Sequence, residues 1–65
     1  MLNIGEYVLN QKTGHFGKVI GYGHKIVNNA YMTTLKVLVN QVATSEKRGF
    51  IEEDLFTAYA MWPQS

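Results

Sequence analysis

Leu35, Val37 and Val39 alternate strictly with Thr34, Lys36, Leu38 and Asn40. This period of two is the clearest pattern in the chain, and it predicts a strand over residues 31–39 with those three apolar side chains on a buried face. β-Branched residues, stiff at χ1 and suited to a pleated surface, are frequent in the same stretch. Val42 and Ala43 extend it past a bend. Residues 5–10 read as a first strand, with Tyr7 and Leu9 on one face and Val8 and Asn10 on the other. Residues 16–26 read as a second, in which Phe16, Ile20, Tyr22 and Ile26 share a parity opposite Val19, and Phe16, Ile20 and Ile26 read as core.

Turn chemistry separates these runs. The polar stretch from Asn10 ends in Gly14, and glycine tolerates positive φ and close backbone approach, so Gly14 and Gly17 read as turn and bulge positions. Gly21 and Gly23 would weaken a flat strand, and they predict a kink in the second one. Asn28-Asn29 suits a hairpin turn, because asparagine tolerates the left-handed region. Ser45-Glu46-Lys47-Arg48 is a charged turn, followed by a short fourth strand over residues 49–52. Glu53-Asp54-Leu55 predicts one turn of 3₁₀ helix that folds Leu55 back onto the core. Residues 56–60 then form the last strand. A helix over residues 52–62 is the competing reading, since Phe56, Tyr59 and Ala60 stand at i, i+3 and i+4.

Composition narrows the class. A chain of 65 residues is one domain, with a core expected over about residues 5–60 and a frayed tail at Pro63-Gln64-Ser65. A domain of this size buries only about 60% of the surface its unfolded chain exposes, so its stability is marginal. The 46% apolar content suffices for one core, and with no cysteine there is neither disulfide nor thiolate metal site. A cytoplasmic or other reducing setting fits. No apolar run approaches about 18 residues, and the N-terminal residues lack the pattern of a signal peptide. Net charge is +1, short of the basic excess usual in nucleic-acid modules.

Read together, Val8, Gly14, Gly17, Val19, Val37, Val39, Gly49 and Asp54-Leu55 resemble the SH3-like barrel, and residues 5–39 resemble its KOW variant. The fold expected is therefore all-β: a small five-stranded SH3-like barrel with a short 3₁₀ turn before the last strand. Several small subunits of plastid and cyanobacterial complexes, one of photosystem I included, share this outline. The KOW resemblance implies RNA or ribosomal contacts, although the strands lack a cluster of Lys and Arg. The photosynthetic resemblance implies docking to a larger complex.

Candidate chemistry is sparse. His15 and His24 match no zinc spacing and read as a turn and a surface histidine. Glu52-Glu53-Asp54 is an acid/base set only if burial splits its pKa values; otherwise it caps the 3₁₀ turn or offsets Lys47-Arg48. Residues 17–23 lack the P-loop Lys-Ser/Thr and a following helix. No catalytic, metal or cofactor constellation emerges. Tyr31, Met32, Tyr59, Met61 and Trp62 are the candidate partner-binding set, because aromatics and methionine are enriched at interfaces; Trp62 alternatively folds back to complete the core. Lys12, His15, Lys18, Tyr22 and Lys25 are the candidate nucleic-acid set, combining phosphate attraction with stacking. The reading that follows is a non-enzymatic protein-interaction module, a small subunit or adaptor of a larger assembly, with a homodimer through a strand edge as one form of partnership. A KOW-like RNA- or ribosome-associated module is the alternative.

Overall fold

The computed structural model describes residues 2–40 and 49–61. The expectations for Val42, Ala43, the turn Ser45-Glu46-Lys47-Arg48, Trp62 and the tail Pro63-Gln64-Ser65 lie outside the described residues.

Five strands form one antiparallel sheet: β1 (Tyr7–Asn10), β2 (Phe16–Val27), β3 (Ala30–Asn40), β4 (Gly49–Leu55) and β5 (Tyr59–Met61), in the order β4-β3-β2-β1-β5. A 3₁₀ turn, Phe56–Ala58, joins β4 to β5. It falls three residues later than Glu53-Asp54-Leu55, because β4 continues along the long β3 until Leu55 pairs with Thr34. The helix expected over residues 52–62 is not what the described part of that span forms: it is strand up to Leu55, the 3₁₀ turn, and strand again over Tyr59–Met61.

The barrel is corrected to an open sheet. β4 pairs only with β3 and β5 only with β1, so these two strands, consecutive in sequence, occupy opposite edges with no ladder between them. Alternating apolar residues favour any curled antiparallel sheet with one buried face; they do not encode whether its edges join. Only three residues separate Leu55 from Tyr59, so the sheet curls until those ends approach.

The concave face carries the core. Val8, Val19, Leu35 and Val37 are fully buried there, joined by Leu2, Val39, Ala58 and Tyr59. Each large aliphatic side chain so placed contributes about 1.5–3 kcal/mol relative to exposure. The Leu35, Val37, Val39 alternation therefore reads directly onto this face. The second strand does not. Between Val19 and Gly21 the register with β3 shifts by one residue, and Ile20 is the extra residue of a β-bulge. Ahead of the bulge, Gly17 and Val19 face the core; beyond it Tyr22, opposite Leu35, turns to that side. Phe16, Ile20, Tyr22 and Ile26 consequently do not form one core face, and all four are exposed.

Two turns follow the sequence. Gly14 adopts φ +81° and its N–H donates to the Asn10 carbonyl at 2.8 Å. Asn28 and Asn29 adopt φ 52° and 64° between the paired residues Val27 and Ala30, the geometry of a two-residue type I′ hairpin. Past Thr34, where the pairing of β4 ends, β2 and β3 continue as a two-stranded arm toward this turn.

Candidate functional site

Where the sheet's edges approach, side chains bridge the gap that no ladder closes. Asn10, the last residue of β1, is fully buried on the concave face. Its Oδ1 accepts from the backbone N–H of Lys12 (2.8 Å) and Thr13 (3.1 Å), which builds the turn after β1. Its Nδ2 donates to Asp54 Oδ2 (3.1 Å) and Glu52 Oε1 (3.3 Å) across the seam on β4. Glu52 Oε1 also accepts from the Tyr59 hydroxyl (2.9 Å), and Oε2 from Thr13 Oγ1 (3.0 Å). His15 Nδ1 stands 2.8 Å from Glu52 Oε2; an ionised carboxylate only accepts, so Nδ1 carries the hydrogen. Phe50 packs edge-on against the His15 ring at 5.4 Å. Lys12 Nζ reaches Asp54 Oδ1 at 3.4 Å, and the Leu55 N–H donates to the same oxygen at 2.7 Å.

The electrostatics match the geometry. Burial pushes the Glu52 carboxyl up, but hydrogen bonds from His15, Tyr59 and Thr13, with the His15 charge, outweigh it and hold the group below its ordinary value. Asp54 is also lowered, first by the Asn10 hydrogen bond and then by the Leu55 N–H, against partial burial. Burial raises the Tyr59 hydroxyl well above the ordinary tyrosine value, and the hydrogen bond to Glu52 and its charge add to this against Asn10. Both carboxylates are depressed in the folded state, so their stabilisation is complete above the unfolded pKa and is lost as pH falls through the folded pKa. The urea midpoint is expected to hold near neutrality and to fall below about pH 4, where unfolded carboxyls titrate. Glu52→Gln should cost roughly 1–2 kcal/mol at pH 7 and flatten that acid limb. An unchanged limb in this variant would remove Glu52 from the account.

Every oxygen of Glu52 and Asp54 is engaged, so the arrangement is a structural clasp rather than a free acid/base pair. Neither residue caps the 3₁₀ turn, whose N-cap is Leu55. Glu53 points to the other face, where Oε2 accepts from the Thr34 hydroxyl at 2.6 Å. Among the described residues no group of three or more His, Asp and Glu is placed to hold a metal ion. His24 lies apart on the arm, edge-on to Tyr31 at 6.3 Å, and the two line a shallow hollow.

The candidate nucleic-acid set is divided. Lys12 and His15 belong to the clasp. Tyr22 lies on the concave side, its hydroxyl donating to the Leu2 carbonyl at 2.7 Å. Lys18, its Nζ 5.8 Å from the centre of the Tyr7 ring, and Lys25 lie on the convex side. The partner-binding set is divided too. Tyr31 is 78% exposed on the arm, and Met32 is half-buried on the arm's opposite face. Tyr59 is buried in the core, and Met61 is exposed at the end of β5.

The apolar residues of the convex face belong to neither set. Tyr7, Lys18, Leu38 and Ile51 form one row across four strands through successive pairings. Leu9 and Phe16 form the next row, and Ile20 stands at the bulge. Tyr7 and Phe16 meet edge-to-face at 6.4 Å. The signal was the parity opposite Val8, Val19 and Val37, hidden by the bulge.

No family model, no curated protein and no solved structure matches the chain. With the sheet open, this overturns the resemblance to SH3-like and KOW domains and to the small photosynthetic proteins, that of photosystem I included. Among the described residues no helix is long and apolar enough to cross a membrane.

Proposed function

We propose that this chain is a non-enzymatic protein-interaction module of the cytoplasm, a small subunit or adaptor that docks through its convex face. One observation carries the reading. A single-layer antiparallel sheet commonly presents polar residues on the face away from its core. Here that face bears Tyr7, Leu9, Phe16, Ile20, Leu38 and Ile51, with Ile51 61% exposed. Contiguous exposed apolar area of this kind marks interaction surfaces. Lys18 in the middle row supplies a charge that selects among apolar partners.

Capture on the tagged chain from its native cell tests this. The expected result is a stoichiometric protein partner that the double variant Ile20→Lys, Ile51→Lys loses while keeping its thermal melt. No partner for the parent chain, or an unchanged set for the variant, would contradict the proposal.

A further inference from the structure

The arm carries a second, independent opportunity. On the side of β2 away from β3, β1 pairs with Phe16, Gly17 and Lys18, and Gly5 and Glu6 bond the backbone of Val19. From residue 21 to residue 27, the backbone pairing of β2 among the described residues is with β3 alone. This leaves a free edge seven residues long, bounded by the last contact at Val19 and by the hairpin turn. Its midpoint is His24.

The ladder determines which groups face outward. Val27 and Ala30 flank a two-residue type I′ turn and therefore exchange hydrogen bonds with each other. Alternation along an antiparallel pair then directs Lys25 and Gly23 toward β3. Tyr22, His24 and Ile26 present their N–H and C=O groups to the free edge.

We propose that this edge pairs antiparallel with the same edge of a second copy of the chain, with His24 on the twofold axis. In that register His24 meets His24, and Tyr22 meets Ile26 of the other copy on both sides of the axis. All three outward-facing residues then form hydrogen-bonded pairs. The pairs of Tyr22 with Ile26 join an aromatic to a β-branched residue, a favourable cross-strand combination. Lys25, the edge's one formal cation, falls opposite Gly23. Centring on Lys25 instead would set two ammonium groups directly opposite, which is repulsive. Centring on Gly23 would require Ile20, the bulged residue beside the already bonded Val19. The edge is therefore self-complementary in one register. It also lacks proline and carries one charge, so it has few of the devices that keep exposed edges apart. A lone two-stranded ribbon is marginal in water, and pairing makes it four-stranded.

His24→Cys tests the register, because the chain has no other cysteine. Residues in a hydrogen-bonded antiparallel pair have Cα atoms about 5.5 Å apart, within disulfide reach. Mild oxidation is expected to convert His24→Cys almost fully to a covalent dimer. Thr33→Cys, likewise exposed and on the same face but one strand from the axis, should remain largely monomeric. Sedimentation should show a concentration-dependent dimer for the parent chain. His24→Pro should abolish it, because the lost N–H faces the free edge and not β3. Ile51→Lys on the convex face should leave the dimer intact, which separates this inference from the docking proposal. A parent chain that stays monomeric, a dimer that survives His24→Pro, or cross-linking of His24→Cys no faster than Thr33→Cys would overturn the proposal.

Discussion

Gly17→Ala is expected to unfold the chain or bring it close to unfolding. Gly17 faces the core from β2, opposite Val39. A Cβ there would lie 2.1 Å from the Leu38 carbonyl oxygen, 2.7 Å from its carbon and 3.0 Å from Val39 Cα. All three are backbone atoms, so relief requires β2 and β3 to part. Overpacking of this severity costs roughly 3 kcal/mol or more. A domain of this length has only about 3–10 kcal/mol in total, so one methyl group consumes much of it. Gly21→Ala is the matched control. Its Cβ would meet nothing nearer than the Lys36 side chain at 3.9 Å, so its stability should change by less than about 1 kcal/mol. Thermal and urea melts followed by circular dichroism distinguish the two. Equal loss in both variants would show that the Leu38 carbonyl does not set the limit.

Asn10→Ala should have the next largest effect, roughly 3 kcal/mol. It deletes four hydrogen bonds made by one fully buried side chain. Worse, it leaves two carboxylates and two backbone N–H groups short of a partner, and unsatisfied buried groups cost more than made bonds contribute. Asn10→Asp separates the two halves of the role. Aspartate keeps the acceptor for Lys12 and Thr13 but loses the donor to Glu52 and Asp54, and at neutral pH it adds a third negative charge to the seam. Its destabilisation should be large at pH 7 and should shrink toward about pH 4 as the clustered carboxyls take up protons. Urea titrations at the two pH values read this directly. A pH-independent deficit would mean that Asn10 matters only for its turn.

Much of the sheet is legible in the chain, for local reasons. The alternation around Leu35, Val37 and Val39 is a property of one strand with one buried face. Asn28-Asn29 and Gly14 announce turns because few residues accept positive φ. The second strand misleads at one position: the extra residue at Ile20 reverses the parity beyond it, and periodicity across Gly21 and Gly23 cannot carry a face through a bulge. Glu53-Asp54-Leu55 is polar enough for a turn, yet its pairing with Thr34, Leu35 and Lys36 prevails. The clasp was not legible at all. His15 and Glu52 stand 37 positions apart, and Asn10 and Asp54 stand 44 apart. Only the curl of the sheet brings them together. Asn10 alone gave a hint, as a polar residue sharing the parity of Val8.

Side chains, and not a backbone ladder, hold the seam between β4 and β5. Residue-resolved amide hydrogen exchange on these two strands tests this most directly. Along β4 alternation is the expected result: amides directed at β3 are protected, while those of Ile51 and Glu53, directed at the seam, exchange nearly as fast as in an unfolded chain. Asn10→Ala should then speed exchange at the Glu52 to Leu55 end of β4. Uniform protection along β4, Ile51 and Glu53 included, would reveal a continuous ladder across the seam and contradict the clasp.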